Sequence, residues 1–506
     1  MAAAPLVGID IGTQQIKIVE LRPAKTGLTV SALGLGPTPL GVIQNGIITD
    51  PAAIGGAVKQ IMRESGITAK RAVGSIAGQN AVVIRIIEVP RMTDAELKET
   101  MKWEVERHVP FAPSETQIDY QPLTPRTPEA ASGPNMEVLL AVAQQDAVAN
   151  YLDVMFAAGL DPVAVDIEPL AIARAVLDLN HGEVVVRPQP VPGVVDYSSP
   201  QETVAVVNIG AANTEIAIFQ GDQLAFPRSL PLAGDSLTRA IAESLQYTID
   251  QAERVKRDYG MVQLDRMAVY TGTAYDTEGG YEAPEFGDDQ GFNLGDDAGD
   301  NPFDLNANLD GDFGSAFRSA PSARLDGGPD DMTRTQPMPR RTLNLARPVV
   351  SDAPPAFMPP PDGGFGLPPA AGGGMDENRL RDDVFEAMAP VLQELSAEIR
   401  RSLDYYRSRG AQISVDRVLL TGGSAGLTNL AAFLQNELQT PVAVANALDG
   451  LAVTSKHFDP AYLATIVPAF TIAVGLAARD VVFSANPLPK APRPVKAPKT
   501  AASTAN

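Results

Sequence analysis

The 506-residue chain contains no cysteine, three histidines and a single tryptophan. Without thiols there is no disulfide, no thiolate metal site and no cysteine nucleophile, and such a composition suits a reducing compartment. Three histidines are too few to suggest a multi-histidine metal centre. The start, MAAAPLVGID, has neither a basic region nor a long apolar core, so no secretory leader is read there. Long apolar runs are scarce too. LATIVPAFTIAVGLAA, at 463–478, carries Pro468, is shorter than the about 20 residues that cross a bilayer, and is expected to be a buried helix. The expected setting is the cytoplasm, with any membrane association made through a partner.

Charge is abundant but unevenly placed. The formal net charge is −21, and between Tyr275 and Met375 seventeen acidic residues face six arginines, a net charge of −11. That segment includes EAPEFGDDQGFNLGDDAGDNPFDLNANLDGDFG and PPAFMPPPDGGFGLPPAAGGG. It is rich in Gly, Pro and Asp, shows no helical or strand period, and cannot bury enough apolar surface to offset its ordering entropy. It lacks the spacing and terminal glutamate of a calcium-binding EF-hand, and its acidity argues against nucleic acid as a ligand. A solvated insertion over 262–375 is expected.

What remains alternates strands and helices, enough for two or more domains. VGIDIGTQQIKIVEL, 7–21, reads as strand, glycine turn and strand. Asp10 stands in the middle of its apolar run, where a carboxylate is costly unless something pairs with it. One reading is a stray charge in a hairpin; the other places Asp10 toward a metal and wraps phosphate in the backbone N–H groups of the turn. TVAVVNIGAANTEIAIFQGDQL, 203–224, repeats the theme, which indicates an internal duplication. A third glycine element, LLTGGSAGL, follows a short apolar strand at 417–421. Helices are expected at 51–65, opened by Thr49-Asp50-Pro51, at 92–109 with Thr93 or Asp94 as cap, and at 145–159.

The order GIDIGTQQIKIVEL, DIEPLAIARAV, VNIGAANTEIAIF, AERVK, LLTGGSAGL resembles the phosphate-1, connect-1, phosphate-2, ribose and adenosine motifs of the actin, Hsp70 and sugar-kinase ATPase superfamily. IKIVEL and VPRMTDAELKETMKWEVERHVPF make the chain similar to the PilM family of type IV pilus assembly proteins, relatives of FtsA. The resemblance covers roughly 5–260 and 376–480 and implies an actin-like α/β fold of two duplicated halves. Its divisions would be subdomain 1A at 1–81, an FtsA-like 1C interaction subdomain at 82–161, a return to 1A and connector at 162–200, subdomain 2A and the start of 2B at 201–261, and 2B with 2A again at 376–480. A basic Pro/Ala tail at 481–506 would close the chain. Unlike the membrane-binding helix that ends FtsA, this tail has no amphipathic face, so direct membrane insertion is not expected.

The resemblance also implies ATP and Mg²⁺. Asp10 would act on the metal through water, and Gly12, Thr13 and Gln14 would wrap the phosphates with Lys17 nearby, although Lys17 also reads as a solvated strand residue. Asn208, Gly210, Ala211, Asn213 and Thr214 would form the second turn. Glu253 and Lys256 would reach ribose and base, or else form an i,i+3 pair on an exposed helix. Gly422, Gly423 and Ser424 would support adenosine. Glu168 occupies the place where relatives position the attacking water, or is a helix-start carboxylate favoured by the dipole. The superfamily usually has aspartate where this chain has Asn208, so ATP is expected to bind while hydrolysis is weak or absent. The implied partner is the cytoplasmic N-terminal peptide of PilN, a single-span inner-membrane protein, with room for pilus motor ATPases and self-association. Trp103 is expected to pack in the core, while the edge of its helix is a place to look for a docked peptide. An FtsA-like filament former and a small-molecule kinase are the alternative readings; for the kinase no acceptor base is evident.

Because the composition of the insertion opposes folding and surface insertions add little closure entropy, excising 277–374 should leave the melting temperature nearly unchanged. A large loss in a thermal melt would mean that the segment packs on the core.

Overall fold

Apolar strands joined by a three-residue and then a four-residue connection build the first sheet. The computed structural model describes residues 4–24, 27–78, 80–123, 125, 132–178, 202–271, 377–409, 414–455 and 457–480. All belong to the unit made of Met1–Thr277 and Gly373–Asn506. Strands β1 (Leu6–Ile11), β2 (Gln15–Pro23) and β3 (Leu28–Pro37) form an antiparallel meander. A small hairpin, β4 (Ile43–Gln44) and β5 (Ile47–Ile48), leads to α1 (Pro51–Glu64). As expected, Asp50 caps α1 by accepting the Ala53 N–H, and Pro51 fills the first position, where no N–H is needed. β6 (Arg71–Ile76) returns parallel to β1.

The chain then leaves this sheet. β7 (Val82–Pro90), α2 (Asp94–His108), β8 (Thr116–Pro122) and β9 (Asn135–Gln144) make a separate antiparallel sheet in the order β7-β9-β8. Thr93 opens α2 with a reciprocal capping box to Glu96. Leu97, Met101 and Val105 of α2 cover Ile87, Val89, Val138, Leu140 and Val142. Leu139, on the opposite face by strand alternation, joins the core between the two large sheets, with Ile84 and Ile86 packed against that core. Trp103 is not a core residue. It is 69% exposed on the outer side of α2, because the buried stripe of that helix runs through 97, 101 and 105.

α3 (Gln145–Ala158) and β10 (Asp161–Ile167) rejoin the first sheet, and α4 (Glu168–Ala173) follows. The expected bounds of the inserted subdomain, 82–161, include α3, but Val154, Met155 and Ala158 pack with α1 residues Ile54, Val58 and Ile61. It therefore belongs to the core of the first sheet.

The second half repeats the plan. β11 (Thr203–Ile209), β12 (Thr214–Gln220) and β13 (Gln223–Leu230) form another meander. α5 (Gly234–Leu245), α6 (Ile249–Tyr259), α7 (Leu264–Thr271) and the 32-residue α8 (Glu377–Ser408) follow. β14 (Arg417–Thr421) lies parallel to β11, then come α9 (Leu430–Leu438) and β15 (Val442–Val444). α7 corrects the start expected for the insertion: Val262 and Met267 are buried in the core of this half. The rest of that insertion, the connector at 179–201 and the basic tail lie outside the described residues.

The first sheet runs β10-β6-β1-β2-β3 and the second β15-β14-β11-β12-β13, so the duplication read from the turns extends to the topology. β16 (Ala452–Val453) adds to the first sheet beside β3. α10 (Pro460–Ile466) and α11 (Thr471–Ala477) close the described chain, joined by a 3₁₀ turn over Val467–Phe470. By length and composition alone the run Pro460–Ala477 could cross a bilayer. The expected buried helix is instead two: α10 has no buried residue, and α11 is buried throughout.

α11 sits between the sheets with backbone against backbone. A Cβ on Gly8 would lie 2.0 Å from the Ala473 carbonyl oxygen, and one on Gly475 only 1.7 Å from that of Ala171 in α4. Buried Arg174 donates to the Gly475 carbonyl at 3.0 Å and pairs with Asp166 of β10. Gly475→Ala should therefore cost at least about 3 kcal/mol, the upper end for overpacking, and an unchanged melting temperature would show that the helices part freely.

Glu20 anchors the far end of the first sheet at 1% exposure. It accepts from Ser31 Oγ at 2.6 Å, from the amides of Thr68 and Ala69 at 2.8 Å each, and from Arg22 at 2.7 Å. Burial alone would raise its pKa, but the hydrogen bonds from Ser31, Ala69, Thr68 and Arg22 together hold it below the ordinary value. A depressed folded pKa gives stability that is present above the unfolded pKa and lost as pH falls through the folded one. Glu20→Gln should lower the melting temperature at pH 7 and narrow its gap from wild type in acid.

Candidate functional site

The two glycine turns face one cleft of about 580 Å³, within the range that holds a small ligand or cofactor. They share a geometry. Gly12 N–H donates to Gln15 O at 3.0 Å, and Gly210 N–H donates to Asn213 O at 3.0 Å. Thr38 clamps the first turn, its hydroxyl donating to Gly12 O at 2.6 Å and its amide to Gln14 O at 3.1 Å. The second is clamped at Gly210 O by Ser424 Oγ and the Gly234 amide, both at 3.1 Å, and at Ala211 O by the Asp235 amide at 2.8 Å. Among the described residues the N–H groups of Thr13, Gln14, Ala211 and Ala212 donate no hydrogen bond. Two clusters of open amides on rigid turns form an anion cradle.

Asp10 is 5% exposed and is paired with Lys17 Nζ at 3.1 Å, directly across the hairpin. That answers how the carboxylate tolerates its apolar strand, and it removes the solvated reading of Lys17. In the second half the equivalent cross-strand pair is Asn208 and Glu215. Asn208 Oδ1 accepts from the Thr421 hydroxyl at 3.2 Å. Gly422 has φ +91°, and a Cβ there would meet Ile209 O at 2.4 Å and Asn208 Oδ1 at 2.7 Å. Only glycine lets β14 turn away this close to β11. Gly422, Gly423 and Ser424 line the cleft, and the next helix, α9, starts at Leu430.

Glu253 and Lys256 do pair at 2.6 Å, yet on the cleft wall rather than on an exposed face. Lys256 also donates to Gly234 O at 3.0 Å and Thr238 Oγ1 at 2.7 Å, while Thr238 donates to Glu253 at 2.6 Å. Burial would raise Glu253, but Lys256, Thr238 and Arg257 hold it below the usual carboxylate range. Glu168 is both the first residue of α4 and a lining residue. Burial first, then the charges of Asp10 and Glu215, push its carboxyl well up against the opposing pull of Lys17.

Thr214 is the one expected binding residue that the fold takes away. It is fully buried and donates its hydroxyl to Leu232 O at 2.6 Å, which anchors β13 rather than a ligand. Glu215, Asp235, Tyr151 and Tyr462 are among the lining residues that the motif reading did not name. Glu215 was findable by overlaying the two turns, since it stands where Lys17 stands in the first. Asp235 accepts from Gln14 Nε2 at 3.3 Å, across the two halves. Tyr151, far away in sequence, donates to Ile9 O at 2.9 Å, with its ring set over Gly74. Tyr462 had no motif around it. No group of three or more His, Asp or Glu side chains is arranged to hold a metal among the described residues.

Burial pushes the Glu215 carboxyl up to about 7 despite a 2.5 Å hydrogen bond from Ser229. A raised carboxyl contributes stability that is full below its unfolded pKa and lost as pH rises through the folded one. Glu215→Gln should thus gain on wild type in melting temperature between pH 5 and pH 8, and parallel curves would show Glu215 ionised throughout.

The family model described as Type IV pilus assembly protein PilM matches residues 8–266, just over half of the chain, and that of Cell division protein FtsA matches 205–467. FtsA of Bacillus subtilis is 25% identical over 280 residues, covering 51% of this chain and 59% of that protein. FtsA of Neisseria meningitidis serogroup B is 22% identical over 277 residues, covering 51% and 62%. The chain thus spans about 60% of the length of these curated relatives. A solved PilM-PilN type IV pilus biogenesis complex is 25% identical, with a TM-score of 0.61 over 94% of this chain and 99% of that one. With that match over half its length, and with the duplicated sheets and the inserted sheet in place, the chain belongs to the PilM family of type IV pilus assembly proteins and has the actin-like ATPase fold.

Proposed function

We propose that the chain binds ATP in this cleft and serves as a scaffold in type IV pilus assembly, peripheral to the inner membrane through a partner. The carrying observation is the pair of matched turns whose free amides converge from two halves on one cleft. The phosphates would lie on the amides of Thr13, Gln14, Ala211 and Ala212, next to Asn213, with Lys17 and Lys256 supplying positive charge. Mg²⁺ fits as an ion carried largely by phosphate and water, since it needs few protein carboxylates, and Asp10, already paired with Lys17, would act through water. The metal would neutralise charge on the phosphates. Glu168, whose carboxyl is pushed up by burial and by the charges of Asp10 and Glu215, would orient the attacking water. Asn208 brings no charge, so binding outruns hydrolysis, and ATP acts mainly as a structural ligand.

The solved PilM-PilN complex supports a PilN-type cytoplasmic peptide as the partner, and exposed Trp103 on α2 is a probe for its docking on the inserted sheet. Linkage to motor ATPases completes the scaffold role. A filament-forming role gains support from the FtsA match over 205–467 and would show as nucleotide-dependent pelleting.

Calorimetry should show Mg-ATP binding that Gly422→Val and Gly12→Val each weaken, because the first drives a side chain into Ile209 O and the second into Lys17. Asn208→Asp should raise turnover without loss of affinity. Equal ATP affinity in both glycine variants would remove the nucleotide reading. A PilN N-terminal peptide that neither shifts Trp103 fluorescence nor is captured by the protein would remove the docking reading.

A further inference from the structure

The far end of the cleft is bounded by the loop at 422–428, by the last turn of α6 with Gly260, and by α10. α10 lies against the loop, since a Cβ on Gly426 would be 3.7 Å from Thr465 O. At this end of the cleft, whose lining also includes Leu427 and Ile466, stands one large aromatic side chain, Tyr462, 51% exposed. Its backbone is pinned. The Asp459 carboxylate accepts from the amides of Ala461 at 2.9 Å and Tyr462 at 3.3 Å, and the Thr465 hydroxyl donates to Tyr462 O at 2.7 Å.

The ring is also buttressed. Phe458 lies 6.0 Å from it in a tilted arrangement, and Phe458 in turn packs edge-on against buried Phe470 at 6.2 Å. This short aromatic column ties Tyr462 to the core between the sheets. A pinned, backed and uncovered ring in a cleft has the properties of a stacking platform, and a planar heterocycle gains more from such a face than an aliphatic ligand does.

We infer that Tyr462 is the surface on which the nucleobase of the bound nucleotide stacks, which makes it a specificity-determining residue for planar bases. This rests on the nucleotide reading above. Stacking demands the flat ring and not the hydroxyl, so the phosphate cradle and the base platform contribute separately to affinity. Among the described residues at this end, the side chains of Thr428 and Thr465 are small and Thr465 is already bonded to its own helix. Reading a purine edge therefore falls to a lesser share of the affinity, and GTP should bind within a few-fold of ATP.

The test is calorimetry on the full chain with Mg-ATP, Mg-GTP, adenosine and inorganic tripolyphosphate. Tyr462→Phe should match wild type for every ligand. Tyr462→Ala should weaken ATP, GTP and adenosine by about tenfold and leave tripolyphosphate unchanged, while Tyr462→Leu, equally apolar but not flat, should behave like the alanine variant. Because the side chain is half out in solvent, melting temperatures serve as the control for folding. ATP affinity unchanged in Tyr462→Ala, or tripolyphosphate affinity falling in parallel with ATP, would overturn the stacking role while the nucleotide site stands. Wild-type protein that takes up neither ATP nor tripolyphosphate would remove the nucleotide site and this role with it.

Discussion

Everything in this molecule depends on how closely α11 approaches β1 on one side and α4 on the other. Gly8 and Gly475 remove the two Cβ atoms that would hold these backbones apart. With them gone, α4 and α11 fill the space between two twisted sheets, and Ala171, Ala473 and Ala477 interleave with Val73, Val206 and Phe219 in one core. That packing sets the relation of the sheets, and hence brings turns at 12–15 and 210–213 to opposite walls of one cleft. Arg174, buried and bonded to both Gly475 O and Asp166, satisfies polar groups that such close contact would otherwise strand.

The cleft itself is a charge problem solved asymmetrically. Two copies of one hairpin carry Asp10 across from Lys17 in the first half and Asn208 across from Glu215 in the second. The first pair is an ion pair with little net charge. The second has no cation: burial pushes the Glu215 carboxyl up, and burial with the charges of Asp10 and Glu215 does the same to Glu168. Carboxyls whose pKa values are raised by burial repel an anion in the cleft less than freely ionised ones would.

The inserted three-stranded sheet is tied into this arrangement from both sides. Its outer face carries α2 and the exposed Trp103, while Leu139 enters the core between the halves. Glu137 lies 4.0 Å from Arg409 at the end of α8, a second link to the opposite half. A partner gripping this sheet therefore touches a unit that bridges the two lobes around the cleft.

Local pattern alone was enough for the strands, the caps at Asp50 and Thr93, the glycine turns and the duplication, because each rests on residues adjacent in the chain or on a repeated period. The resemblance to the ATPase superfamily, rather than local pattern, named the residues of the cradle, and all of them but Thr214 line the cleft. Proximity created by folding was not legible in this way. α3 follows directly on β9 in sequence, but its apolar stripe fits α1, so it joins the first sheet. Thr214 sits in the turn motif, yet strand alternation turns its hydroxyl inward to Leu232. Trp103 faces water because the stripe of α2 was filled by 97, 101 and 105. Tyr462 and Tyr151 reach the cleft from elements outside both glycine turns, and only the packing of α10 and α3 against distant backbone decides that they do.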